Sequence, residues 1–177
     1  MSLLSTRQLS RHFGGLKAVE NVDFDLPAGQ VRALIGPNGA GKTTFVGMLS
    51  GRIPASNGQV MFEGRNITAE PAHRRIRAGM AYTFQITSVF GRLPVTENVA
   101  LAMRWRTGGD EVETKLRVAE SLDRVGIADR ADQLAGDLSY GHQRLLEIAM
   151  GLSQDPRLLI LDEPTQGLAD SEIADFI

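Results

Sequence analysis

Apolar and polar positions alternate through Val19 to Leu26, with Val22, Phe24 and Leu26 on one side and Asp23 and Asp25 on the other. That pattern predicts a half-buried strand, closed by the turn Pro27-Ala28-Gly29. A second strand is expected at once, over Val31 to Ile35. Beyond the glycine-rich stretch Gly36 to Gly41, Phe45, Met48 and Leu49 recur at helical spacing, and the helix they predict stops near Gly51. Gly58 to Phe62 reads as a short strand, His73 to Arg77 as a basic surface helix, and Met80 to Phe84 as a further strand. The middle of the chain changes period: Glu97 to Trp105 and Glu113 to Val125 are helical, separated by Gly108-Gly109 and closed by Gly126. Ser139 is a good N-cap for a helix whose apolar face carries Leu145, Ile148, Ala149 and Leu152, ending near Asp155-Pro156. The unbroken apolar run Leu158 to Leu161 has the character of a parallel strand buried on both faces.

Composition narrows the function classes. The chain has 177 residues, 42% apolar and 23% charged, enough for one buried core. Its net charge of -2, from 19 basic and 21 acidic residues, gives no positive field for nucleic acid or acidic lipid. There is no cysteine, which excludes disulfides, thiolate metal sites and cysteine nucleophiles. No apolar run approaches the roughly 20 residues that span a bilayer, and the N-terminus lacks a secretory layout. The expectation is a cytoplasmic chain with no membrane insertion of its own.

Gly36-Pro37-Asn38-Gly39-Ala40-Gly41-Lys42-Thr43, followed by Thr44, fits the P-loop pattern between an expected strand and an expected helix. Glycines let backbone N–H groups curl around phosphates, the helix N-terminus favours negative charge, Lys42 reaches the β/γ oxygens, and Thr43 can ligate Mg²⁺. The plainer alternative is a glycine-rich turn with an exposed lysine. Strand Leu158 to Leu161 ends in Asp162-Glu163, acids at the carboxyl end of a strand, where α/β sheets bind ligands. Asp162 can hold Mg²⁺, and Glu163 is placed to polarise a water aimed at the γ-phosphate. Taken without the P-loop, the two would read as solvated loop acids.

Leu138-Ser139-Tyr140-Gly141-His142-Gln143, upstream of that acidic strand, resembles the signature sequence of ABC ATPases. The resemblance implies an α/β fold: a RecA-like P-loop NTPase core with an N-terminal antiparallel β subdomain and a helical subdomain. Residues 1–85 and 154–177 would form the ATP-binding core, and residues 86–153 the helical subdomain, of a single cassette. It also implies that Ser139 and Gly141 bind ATP held by the P-loop of a second ATP-binding subunit, identical or not. Phe13, before Gly14-Gly15, matches the aromatic that stacks on adenine; Gln85, in Tyr82-Thr83-Phe84-Gln85, matches the glutamine that links Mg²⁺ to the transporter contact region. Ile86 to Val95 would then face transmembrane permease subunits, although Val89-Phe90 reads equally well as core. Tyr140 stands where the family usually has glycine, and His142 where it usually has glutamine.

Within the family the wording is most similar to importers of branched-chain amino acids and urea. The expected function is Mg-ATP hydrolysis driving solute import from the inner face of the cell membrane. The alternatives are a soluble ABC ATPase outside transport, and a cassette that binds nucleotide and turns it over poorly. The latter is motivated by the absence of a histidine after Glu163, the three present being His12, His73 and His142. The family's switch histidine sits on a later strand, so the chain reads as a cassette whose C-terminal strands are missing. Ala169, where the family usually has Asp or Asn, is a further departure.

Overall fold

The computed structural model describes residues 2–83 and 88–162. They fall into two units, divided between Met80 and Ala81.

The first unit is built on a four-stranded antiparallel sheet in the order β2-β1-β3-β4. Its strands are β1 (Ser2–Phe13), β2 (Leu16–Pro27), β3 (Asn57–Phe62) and β4 (Arg65–Asn66). β2 follows the alternation of its sequence: Val19 and Leu26 are buried, Val22 and Phe24 half-buried, and Asp23 and Asp25 exposed. β1 had no such signal, and its register explains why. With slips between Ser2 and Leu4 and between Thr6 and Leu9, and Gln8 at φ 46°, the neighbours Leu3 and Leu4, and then Leu9 and Ser10, are all buried. A strand with such bulges loses the period of two that a sequence reader counts.

Helix α1 (Lys42–Leu49) packs on β2 through an edge-to-face contact between Phe45 and Phe24, with ring centroids 5.7 Å apart. The strand expected over Val31 to Ile35 is not formed: residues 30–37 have no regular structure, and Val31 and Ile35 are 96% and 92% exposed. An extended apolar segment becomes a strand only when neighbours take up its N–H and C=O groups, and none of the described strands pairs with this one. The short helix α2 (Ala72–Arg77) completes the unit.

β5 (Met80–Tyr82), which begins at the last residue of the first unit, pairs with β6 (Leu158–Ile160), and the Thr83 amide extends the ladder to the Ile160 carbonyl at 3.0 Å. Between them in sequence the described residues form three α-helices, α3 (Val95–Thr107), α4 (Glu111–Arg124) and α5 (Tyr140–Leu152). Their facing positions, among them Val99, Met103, Leu122 and Leu146, form one apolar cluster. The punctuation acts as its chemistry predicts. Gly108 ends α3 at φ 60°, Asp110 caps α4 by accepting from the Val112 and Glu113 amides, and Gly126 follows α4 at φ 73°. Buried Asn98 organises the approach to α3: its Oδ1 accepts from the Phe90 amide at 2.7 Å, and its Nδ2 donates to the Phe90, Leu93 and Pro94 carbonyls. Val89 packs against the helical cluster while Phe90 is exposed, so the pair divides between core and surface.

Candidate functional site

The glycine-rich loop leads directly into α1. Gly39 and Gly41 have φ of 82° and 84°, a left-handed conformation that L side chains rarely adopt. At Gly41 space is also lacking: a Cβ there would lie 2.3 Å from the Ala18 carbonyl oxygen. Gly41 occupies the N-cap of α1 and has no side chain to turn back on the helix, and no acid lies in the first turn. The first-turn amides of Lys42, Thr43 and Thr44 therefore face a terminus whose partial charge is positive. Phe45 makes the first bond of the helix, to the Gly41 carbonyl at 2.8 Å.

The Lys42 ammonium donates to the carbonyls of Gly36, at 2.6 Å, and Pro37, at 3.0 Å. It thus closes the loop formed by Gly36, Pro37, Asn38, Gly39 and Ala40, in which the Ala40 amide donates to the Pro37 carbonyl. Thr43 is exposed and Thr44 half-buried. A helix N-terminus with a cation beside it and no acid in its first turn suits a polyphosphate.

The far end of α1 is held by a residue that the sequence hides. Arg75, expected on a basic surface helix, is 3% exposed. Its guanidinium donates to the carbonyls of Met48 and Leu49 at 2.8 Å each, of Thr68 at 3.0 Å and of Glu70 at 2.9 Å. Burial lowers its pKa, and nearby Glu70 opposes the shift. A cation on the last carbonyls of α1 complements the dipole whose positive end faces the loop. The run His73-Arg74-Arg75-Ile76-Arg77 carries no sign of which arginine turns inward.

Phe13 ends β1 at the hairpin turn Gly14-Gly15, 43% exposed. The Arg11 guanidinium carbon lies 4.4 Å from its ring centroid, and Arg11 is itself fixed by donation to the Pro54 carbonyl at 3.0 Å. One ring face is therefore covered by a cation.

In the second unit Asp162 follows β6, half-buried. Its Oδ2 accepts from the Tyr82 hydroxyl at 3.0 Å, and its backbone carbonyl accepts from the Arg144 guanidinium. Mg²⁺ bound with a nucleotide takes one or two protein oxygens beside phosphates and water, and the chemistry of a carboxylate steadied in this way fits that role. Gln85 and Glu163 lie outside the described residues, as do Ile86, Thr87 and Ala169.

Ser139 caps α5: its Oγ accepts from the His142 amide at 3.3 Å and lies 2.6 Å from His142 Nδ1. Gly141 is buried in the first turn, which contains no acid, and Tyr140 is exposed. His142 thus occupies the position from which a side chain closes back on its own N-cap. One turn further along α5, Arg144 and Glu147 form a buried ion pair at 2.8 Å, and the other carboxylate oxygen of Glu147 accepts from the Ser88 amide. Burial pushes the Glu147 carboxyl above its usual range, against the pull of the Ser88 amide and Arg144. No sequence motif marked this pair.

No helix among the described residues is long and apolar enough to cross a membrane. Residues 19–166 match the family model described as ABC transporter. The "Probable branched-chain amino acid transport ATP-binding protein LivG" of Archaeoglobus fulgidus is 38% identical over 182 residues, covering 95% of this chain and 70% of that protein. A putative ribose/galactose/methyl galactoside import ATP-binding protein of Agrobacterium fabrum is 37% identical, over 96% of this chain and 34% of its own length. Among solved structures, the ADP conformation of an ATP-binding cassette of an ABC transporter superposes with a TM-score of 0.84 at 28% identity, over 99% of this chain and 74% of that one. On the breadth of the family match and the identity to these relatives, the chain belongs to the ABC transporter ATP-binding family, whose members bind and hydrolyse ATP.

Proposed function

We propose that the chain is the ATP-hydrolysing subunit of an importer, that its solute is a branched-chain amino acid or a related small polar molecule, and that it works with Mg²⁺. The observation that carries this is the loop from Gly36 to Thr44, an acid-free set of backbone donors that opens α1, with Lys42 closing it. In this reading the loop amides and Lys42 bind the phosphates, and Phe13 stacks its uncovered face on adenine. Thr43, Asp162 and Gln85 supply oxygens to Mg²⁺, which when bound neutralises phosphate charge. Glu163 accepts the proton of the attacking water, and Lys42 holds the β/γ oxygens as charge builds on them. Ser139 and Gly141, at the start of α5, contact the nucleotide of a second ATP-binding subunit.

Residues 1–85 with 154–177 act as the ATP-binding core, and residues 86–153 as a helical subdomain that meets transmembrane permease subunits. The chain would then sit at the cytoplasmic face of the membrane through those partners. Nucleic acid has no part in this reading, since the net charge is -2. The amino-acid assignment rests on the LivG relative and on the run Leu93-Pro94-Val95-Thr96-Glu97-Asn98-Val99; the sugar-import relative shows that ATPases of other importers share much of the sequence.

Calorimetric titration of Mg-ATP into the chain and into its Lys42→Ala variant tests the nucleotide site. Saturable binding that the variant loses is expected, and equal binding by both would overturn it. Uptake of labelled leucine and ribose by cells carrying the assembled transporter tests the solute: ATP-dependent leucine uptake is expected, and ribose uptake alone would reassign it.

A further inference from the structure

We propose that Arg144 and Glu147 are positioning residues for the metal-binding end of the site. They clamp the backbone at Asp162 and at Ser88 onto the helix that begins at Ser139. The inference rests on the reading of Asp162 as the Mg²⁺ ligand.

The two side chains lie three residues apart on α5, on one helix face. Both are buried, Arg144 with no exposed surface. A buried ion pair is a poor route to stability, because desolvating both ions offsets their attraction, and apolar side chains of similar volume often serve as well or better. What distinguishes this pair is where its remaining donors and acceptors go. Arg144 donates forward to the Asp162 carbonyl, at the end of β6. Glu147 accepts backward from the Ser88 amide, three residues after Gln85. Two chain segments separated by more than 70 residues in sequence are thereby bonded to a single ion pair.

With its carbonyl held by Arg144 and its Oδ2 by the Tyr82 hydroxyl, Asp162 is restrained at both backbone and side chain. A metal ligand restrained in this way loses less freedom on binding, and ligand-orienting partners typically affect metal affinity or activity by about tenfold to a hundredfold. An apolar pair at residues 144 and 147 would fill the same space without gripping either segment. Clamp and packing therefore make different predictions.

The test uses the assembled transporter carrying Arg144→Met with Glu147→Leu. Three quantities are read: the Mg²⁺ concentration that half-maximally tightens ATP binding in calorimetry, amide exchange of the segments holding Ser88 and Asp162, and kcat separately from KM. The proposal expects ATP binding without Mg²⁺ to stay unchanged, the Mg²⁺ requirement to rise about tenfold or more, both segments to exchange faster, and kcat to fall while KM holds. Glu147→Gln, which keeps an acceptor for Ser88, should restore most of the Mg²⁺ response. A folded double variant with wild-type Mg²⁺ dependence and kcat would sink the proposal. If the double variant does not fold, Arg144→Lys decides, because lysine keeps the charge facing Glu147 and lacks the fork that spans to Asp162. The same rise in Mg²⁺ requirement supports the clamp, and a wild-type response refutes it. Asp162→Asn separates the layers: a large Mg²⁺ shift there with none in the pair variants refutes the clamp alone, whereas no shift in Asp162→Asn refutes the metal reading and the clamp with it.

Discussion

The ammonium of Lys42 lies 2.6 Å from the carbonyl oxygen of Gly36, the residue that opens the loop Lys42 itself closes. The lysine is a latch within the loop, and in the proposed function its charge also makes it a phosphate ligand. The two roles differ in their energetics. Loop carbonyls at an exposed turn can turn to water, so the latch contributes little to stability, whereas a charge-assisted bond to phosphate is worth about 1.5–3 kcal/mol. Lys42→Met, which keeps most of the stem, is expected to lower the folding free energy by under about 1 kcal/mol in urea unfolding. The same change should weaken ATP binding about tenfold to a hundredfold. A variant that unfolds early and still binds ATP normally would reverse the assignment.

Gly41 is constrained twice, by its φ of 84° and by the Ala18 carbonyl that a Cβ would strike. Gly41→Ala should therefore cost at least about 1–3 kcal/mol of stability and should also abolish saturable ATP binding, because relieving the clash moves the start of α1. Gly14→Ala is the control: its φ of 57° strains the backbone, but nothing lies within 4 Å of the added methyl. It should lower thermal stability modestly and leave the phosphate site intact.

How much of this was legible in the sequence depended on whether the information was local. The glycines ahead of α1, the cap at Ser139 and the turn glycines are local chemistry, and they adopt the conformations that their residue types favour. β2 and the amphipathic helices announced themselves by period. β1 did not, because bulges near Gln8 break its alternation. Val31 to Ile35 looked like a strand by composition, yet a strand is a relationship between segments and composition names no partner. Arg75 and the Arg144–Glu147 pair were invisible for a related reason. A basic or acidic residue reads as surface until the fold shows carbonyls and amides converging on it, and among those Met48, Ser88 and Asp162 lie far from their partners in sequence.

Arg75 makes the structural case testable. Arg75→Met keeps the stem and removes the donors to four carbonyls at the end of α1 and beside α2. Leaving buried carbonyls without partners costs about 1–3 kcal/mol each in the worst case, moderated by water entry. A loss of about 2–4 kcal/mol is expected. Because the other end of α1 is the proposed phosphate site, ATP affinity should fall as well, in parallel with stability and rescued by conditions that restore folding.

In the proposed function Phe13 stacks on the base and takes no part in phosphate binding, so its variants should separate two ligands. Stacking a base on an aromatic ring is worth about 1–3 kcal/mol. Phe13→Ala should weaken ATP by that amount and leave inorganic tripolyphosphate unaffected, both measured by calorimetry. Arg11→Ala removes the cation from the other face of the ring and should have a smaller effect of the same kind, about 0.5–1 kcal/mol. Equal loss for ATP and tripolyphosphate would mean that Phe13 holds the loop and not the base.

Glu147 gives the fold a pH dependence whose sign follows from its environment. Burial disfavours its charged form more than the Ser88 amide and Arg144 favour it, so its pKa in the folded chain lies above the unfolded value of about 4.3. Between those two values the folded chain holds a proton that the unfolded chain has released. Stability from this group is thus fully present below the unfolded pKa and is lost as pH rises through the folded one. Glu147→Gln cannot ionise and provides the reference. The difference in unfolding free energy, wild type minus variant, should be greatest below the unfolded pKa and should decline as pH rises through the raised folded pKa, read from urea midpoints at each pH. A difference that grows with pH would show that attraction to Arg144 outweighs desolvation, and that the carboxylate is charged in the fold throughout this range.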